Sequence, residues 1–264
     1  MGWALRFHGV GNASAVELGS AMATIERQGR PWLTIDCGAE GLTAYLAHYG
    51  EAPRALFVTH THLDHVAGFE RLFVDGMFGG RAESTRLYVP AHLVPLLHQR
   101  VGDYPNVLAE GGANFWDAFR VIPVGDAFWH DGVRLETFET RHHWPRTAYG
   151  LRLRGSLVWT GDTRPIPETL AKMADACEVV AHDCALRGNP SHSGIEDLER
   201  EYPDDLLARC VLYHYVGVVE GQTLKARGYR VADPGECLAL AEPTAARAIP
   251  FDATDSAPDA SFPA

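Results

Sequence analysis

Apolar and polar residues alternate along Val133-Arg134-Leu135-Glu136-Thr137-Phe138-Glu139-Thr140, the pattern of a half-buried strand. The run Ala55-Leu56-Phe57-Val58-Thr59 is apolar and strand-like, and a helical pattern follows it at Val66-Ala67-Gly68-Phe69-Glu70-Arg71-Leu72-Phe73. Further strands are expected at 4–10, 86–89, 119–124, 148–154, 156–160, 178–182 and 210–213, with two short ones near the C-terminus. A hairpin joins 20–27 to 31–37 across Gln28-Gly29-Arg30. Helices are expected at 41–49, at 91–99 with an interruption at Pro95, at 167–175 and at 195–200. The second half, from 119 on, repeats the order of the first. Strand clusters alternating with helices suggest an α/β chain folded as an αββα sandwich, two mixed sheets flanked by helices.

The stretch 102–119 is irregular and carries Phe115, Trp116 and Phe119. It reads either as a loop beside a site mouth or as core-filling aromatics. From Glu242 the composition turns to Ala, Pro, Asp and Ser. One domain over 1–241 and a mobile or surface-wrapped tail over 242–264 are therefore expected.

Composition narrows the class. A chain of 264 residues with 46% apolar and 22% charged positions can bury a large core as one α/β domain or two fused halves. No basic segment followed by a long apolar run opens the sequence, and no run is apolar enough to cross a bilayer. The five cysteines are scattered and form no C-x-x-C pair. They read as reduced thiols of a cytoplasmic protein. A net charge of −11 disfavours binding to nucleic acid or to an anionic membrane. It leaves room for a locally positive pocket, which two divalent cations would create. The partner expected is a small molecule, and a homodimer is compatible.

The chemistry is concentrated in His60-Thr61-His62-Leu63-Asp64-His65. Three imidazoles and a carboxylate meet where a strand ends and a helix begins, a rigid place to build a site. These are ligands suited to zinc and its neighbours. Two histidines two positions apart can point the same way. Asp64 and His65 can converge on a second point nearby, as a metal pair requires.

The pattern H-x-H-x-D-H resembles the signature of the metallo-β-lactamase-fold hydrolases. Other matches follow in the family order. Arg141-His142-His143 ends the alternating strand, Gly161-Asp162-Thr163 follows a strand at 156–160, and His214 ends the strand at 210–213. The resemblance implies one metal on His60, His62 and His142, a second on Asp64, His65 and His214, and Asp162 bridging them. His142 is preferred to His143 as the third histidine, because loops absorb insertions more readily than strands. His143 then becomes a residue behind the ligands or one facing substrate. Pro190-Ser191-His192-Ser193 is similar to the His-Ser segment of ribonuclease Z and related phosphodiesterases, which makes His192 a candidate catalytic residue. The plainer reading is a loop histidine beside a helix cap made by Ser191 or Ser193. His182 is either a supporting or alternative ligand or a strand-end residue bonded to the backbone.

The resemblance implies a dinuclear zinc hydrolase, with Mn2+ or Fe2+ as alternatives, that uses a metal-bridged hydroxide. Asp64 would orient that hydroxide and His192 would donate to the substrate or leaving group. The interval between His142 and Asp162 is too short for the tRNA-gripping arm of ribonuclease Z. A small phosphodiester, such as a cyclic nucleotide, is thus the expected substrate. A lactone, thioester or other carboxylic ester is the alternative, as is a biosynthetic role similar to that of the pyrroloquinoline-quinone synthesis protein B.

Overall fold

The computed structural model describes residues 2–79, 85–103 and 114–244. Strand β1 (Trp3–Gly9) buries Trp3, Leu5 and Phe7 on one face. Strands β2 (Met22–Arg27) and β3 (Arg30–Ile35) form the expected hairpin. Gln28 and Gly29 both take left-handed backbone, with φ 56° and 73°, as a tight two-residue turn requires. Helix α1 (Ala39–Tyr49) ends at Gly50, whose φ of 71° is the usual glycine stop. Then come β4 (Ala55–Phe57), the single-turn α2 (Leu63–Val66), α3 (Gly68–Phe78) and β5 (Thr85–Pro90).

The expected helix over 91–99 is broken. It holds a 3-10 turn at Ala91–Leu93, a short α4 (Val94–Leu97) and a wide turn at His98–Gly102. Pro95 lies in the first turn of α4, where its missing N–H costs nothing. Strand β6 (Phe119–Val124) belongs to the first sheet rather than the second, because it pairs parallel to β5. The second sheet starts at β7 (Ala127–His130), too short and too evenly apolar to stand out in the sequence. It continues through β8 (Val133–Glu139), β9 (Tyr149–Leu153) and β10 (Leu157–Trp159). Helix α5 (Pro167–Met173), β11 (Val179–Asp183), α6 (Ile195–Glu201), α7 (Asp204–Leu207), β12 (Cys210–Tyr213), α8 (Val218–Ala226) and β13 (Cys237–Leu240) follow. Of the two short C-terminal strands expected, β13 forms, while Val231 makes only an isolated bridge to Leu212.

Among the described residues the sheets run β13-β1-β2-β3-β4-β5-β6 and β12-β11-β10-β9-β8-β7. Each is antiparallel on one side and parallel on the other. Pairs β3–β4, β4–β5 and β5–β6 are parallel in the first sheet, and β10–β11 and β11–β12 in the second. Large apolar side chains fill the space between the sheets. Phe7 of β1 meets Trp159 of β10, with ring centroids 5.9 Å apart, and Phe57 of β4 stacks on Phe128 of β7 at 5.9 Å. Burying each such ring contributes about 1.5–3 kcal/mol. His130, fully buried, is satisfied by the Tyr88 hydroxyl at 2.9 Å and the Trp32 carbonyl at 2.8 Å.

Of the aromatics at 102–119, Phe119 is buried against Phe69, and the Trp116 indole N–H donates to His98 Nδ1 at 2.8 Å. Those two fill space in the fold. Positions 104–113 of the expected loop, and 245–264 of the expected tail, lie outside the described residues. The start of that tail is tethered, with the Thr244 N–H donating to the Arg154 carbonyl at 2.8 Å. No disulfide forms among the five cysteines. No described helix is long and apolar enough to cross a membrane.

Candidate metal centre

Six strands end at one place. Asp36 follows β3, His60 follows β4, His142 follows β8, Asp162 follows β10, Asp183 closes β11 and His214 follows β12. Open α/β sheets gather ligands outside the carboxyl ends of their strands. Here two sheets do so face to face. Two of these residues have left-handed backbone, Asp36 with φ 62° and His214 with φ 70°. Non-glycine residues held there mark positions that the surrounding structure over-determines.

The side chains form two adjoining groups. His60, His62, His142 and Asp162 make one, and Asp64, His65, Asp162 and His214 the other. Asp162 is common to both. One of its oxygens, Oδ2, lies 3.5 Å from His60 Nε2, 3.2 Å from His65 Nε2, 3.3 Å from His214 Nε2 and 3.9 Å from His142 Nε2. Asp64 Oδ2 lies 3.5 Å from both His65 Nε2 and His214 Nε2. Yet both Asp162 oxygens and the Nε2 atoms of His60, His65 and His214 are buried without a hydrogen-bond partner. Buried polar groups are rarely left so, since each unmet one costs about 1–3 kcal/mol. Imidazole nitrogens and a carboxylate converging at these distances are a donor set for divalent metal, and the site fits one.

The electrostatics agree. Burial works to raise the Asp162 carboxyl, but the imidazoles of His214, His65 and His60 outweigh it and hold it well below the carboxylate range. Burial lowers His60 strongly and brings His142 down to about 4. For His214, burial is overcome by Asp162, Asp183 and Asp64, which raise it to about 10. A metal taking the His214 nitrogen must displace its proton, whereas His60 and His142 are already held neutral.

Behind the ligands stand two carboxylates that sequence reasoning missed. Asp36, fully buried, accepts the His65 Nδ1–H at 2.8 Å, the Thr59 N–H at 2.8 Å and the Thr59 hydroxyl at 2.7 Å. Asp183 holds His192 Nδ1 at 2.8 Å, faces His214 Nδ1 at 3.4 Å and accepts the Thr163 N–H at 2.9 Å. Such partners fix imidazole tautomer and orientation. Both acids end apolar strands, as His60 does, and that shared pattern was the available signal. Asp183, His192 and His214 also cluster closely. The Asp183 Oδ2 atom is occupied by His192 and the Thr163 N–H and its Oδ1 faces His214, which makes it an orienting group.

The remaining candidates sort by position. His142 is buried in the first group, and its Nδ1 bonds to the Ser191 carbonyl at 2.9 Å. His143 lies outside, exposed, 2.9 Å from His62 Nε2. His192 packs edge-on to His142 at 4.7 Å and stacks on His214 at 5.0 Å. Ser191 and Ser193 do not cap α6. Its N-cap is Gly194, whose N–H donates to the Asp197 carboxylate at 3.0 Å. His182 takes the second of its two expected places, a strand-end residue bonded to the backbone. Its nitrogens go to the Tyr202 hydroxyl at 2.7 Å and the Asp183 carbonyl at 2.7 Å. Alternation along β11 turns it away from the face that presents Asp183.

Two facing mixed sheets between helices, with this ligand set at their joined strand ends, are the metallo-β-lactamase fold with a candidate metal centre. In three dimensions the chain is similar to a diphosphatase of the PhnP family (TM-score 0.71, 16% identity, 91% of this chain and 99% of the other). It is also similar to the short form of human tRNase Z (TM-score 0.60, 15% identity, 89% and 98%). The family model for the anti-Pycsar protein Apyc1 matches residues 3–237, and the chain belongs to that family. A relative of that name from Paenibacillus xerothermodurans is 28% identical over 228 residues, 78% of this chain and 85% of the other. Ribonuclease Z of Pseudomonas putida is 38% identical over 135 residues, 49% of this chain and 40% of the other.

Proposed function

We propose that the protein is a dinuclear hydrolase, zinc-dependent, that cleaves a small phosphodiester. The observation that carries this reading is the placement of His192. Asp183 fixes its Nδ1, and its ring lies against one histidine from each metal group. His60, His62 and His142 would hold one ion, Asp64, His65 and His214 the other, and Asp162 would bridge them. The metal pair would supply Lewis acidity and a nucleophilic water at neutral pH.

The rest falls to the chain. Asp64, partly exposed to solvent, orients the attacking water and accepts its proton. Burial lowers the His192 imidazole, but the Asp183 carboxylate outweighs that and raises it above its ordinary value, which favours the protonated ring. With Nδ1 committed to Asp183, Nε2 is the nitrogen that donates to the leaving oxygen. The products are a phosphomonoester and an alcohol, or one ring-opened monoester from a cyclic substrate. The acidic balance of the chain supports a small molecule over nucleic acid. The unpaired cysteines fit a reducing compartment, as the cytoplasm is.

The test is a panel of cyclic nucleotides, bis(p-nitrophenyl) phosphate, lactones and thioesters with metal-replete protein, alongside His192→Ala. The expected result is phosphodiester turnover that falls about 10²–10⁴-fold in the variant with metal content unchanged. Near-normal turnover of the variant would remove His192 from the mechanism and favour the lactone or thioester reading.

A further inference from the structure

Trp144 is the most exposed of the large apolar side chains among the described residues, at 82%. Tryptophan is highly buried on average, so an indole left in water needs a reason. Its position supplies one. Rings lead outward from the first ligand group. His142 packs edge-on to His62 with centroids 4.9 Å apart, and His62 packs edge-on to His143 at 4.6 Å. His62 turns Nδ1 inward, 3.2 Å from His142 Nε2, and Nε2 outward to His143. Trp144 is the next residue after His143. A molecule bound at the first group that extends past His62 and His143 therefore meets the indole. The surface next to His62 is apolar as well. A cleft of about 490 Å³ runs past His62 and Asp64, walled among others by Ala13, Ala39, Ala67 and the exposed Leu63. That volume suits a small ligand.

The loop that carries the indole is closely restrained. Strands β8 and β9 pair as far as Glu139 and Tyr149, and the Thr140 N–H donates to the Ala148 carbonyl at 3.0 Å, which closes the loop at its base. Within it, His142 is pinned to the Ser191 carbonyl. Pro145 restricts the backbone of Trp144 before it. The Thr147 hydroxyl donates to the Trp144 carbonyl at 2.6 Å. Arg146 has left-handed backbone, with φ 64°, which a non-glycine residue keeps only where its surroundings over-determine it. An exposed ring fixed in this way is pre-organised, and binding to it costs little ordering.

We propose that Trp144 binds the aromatic base of the substrate by stacking, and so sets a preference for base-bearing over base-free phosphodiesters. This rests on the phosphodiester reading and adds the group that the second half of the substrate meets. A cyclic nucleotide carries one phosphate, which belongs at the metal centre, and one base, which the row of rings leads onto the indole. Stacking of a base on an aromatic side chain uses the faces of both rings and no proton transfer. Trp144 is thus a specificity residue and takes no part in the chemical step.

The test measures binding, so it stands apart from turnover. Adenosine 5′-monophosphate and ribose 5-phosphate, which differ by the base, are titrated calorimetrically into metal-replete wild type, Trp144→Ala, Trp144→Leu and Trp144→Phe. Wild type is expected to bind the nucleotide about tenfold or more tightly than the sugar phosphate. The ratio should fall by about fivefold or more in the Ala and Leu variants and be largely kept by Phe, with the sugar phosphate bound alike by all four proteins. An unchanged ratio in the Ala variant would overturn the proposal, as would a ratio kept in full by Leu or a wild type that does not prefer the nucleotide. A Trp144→Ala protein of half the wild-type mass in sedimentation would overturn it too, since a second copy would then cover the ring. Failure of every diester to turn over, with the ratio behaving as expected, would instead count against the phosphodiester reading alone.

Discussion

Asp36 offers the sharpest test of how the site is held. It touches no proposed ion, yet three hydrogen bonds converge on it inside the protein. In Asp36→Ala the Thr59 hydroxyl can turn towards His60 Nδ1, already 3.1 Å away. The Thr59 N–H and the His65 Nδ1–H lose their acceptor and stay buried. Two orphaned donors at about 1–3 kcal/mol each predict a loss of about 2–6 kcal/mol. For a domain of this size that lowers Tm by roughly 5–20 °C. His65 also loses the contact that orients its ring, so affinity for the second ion should fall about 10–100-fold. Chelator-competition titration with a zinc indicator reads the affinity, and differential scanning calorimetry of the metal-replete protein reads Tm. Unchanged chelator sensitivity in a folded variant would refute the claim that Asp36 fixes the ligand His65.

Asp162→Ala should leave fewer than one ion per chain by plasma mass spectrometry, since both groups share this carboxylate; two retained ions would defeat the bridging model. Gly38→Ala should weaken metal binding, because a Cβ there would collide with Ser20 Oγ and the Asp64 backbone carbonyl; wild-type metal affinity would show that the Asp64 loop yields freely. His8 is buried against the Thr24 hydroxyl, and burial lowers it to about 3. Its folded value lies below the unfolded one, so stability is intact above pH 6.5 and falls by about 1.4 kcal/mol per unit as pH drops towards 3. His8→Gln should therefore lose about 2 kcal/mol less than wild type between pH 6.5 and 5 in urea unfolding; equal losses would show that His8 does not contribute.

The metal motif was legible because several ligand types in six positions leave few other readings, and the ordered partners His142, Asp162 and His214 add to it. The hairpin at Gln28-Gly29 was legible from local turn chemistry. What was hidden depended on long-range pairing. Nothing near 119–124 says which sheet that strand will join, because its register with β5 is set by residues about 35 positions away. Asp36 and Asp183 looked like ordinary acids at strand ends until the fold laid them against His65 and His192. His182 stayed open between two readings because histidine and aspartate are adjacent there, and only the direction of each side chain separates a buried structural group from a functional one.

The ligands are drawn from both sheets, and this has a kinetic consequence. About 150 residues separate His60 from His214. At a synthesis rate of about 5–20 residues per second, roughly 10–30 s pass between the emergence of the first ligand and the last. Through that interval the first sheet shows an exposed apolar face where Phe7 and Phe57 await Trp159 and Phe128, and its histidines can capture a metal ion only partially. The nascent chain is thus most vulnerable to aggregation and mis-metallation in the same window. Cover for that face comes with β7 and β10, and the ligand set is complete only when β12 docks beside β11 and brings His214 to Asp162.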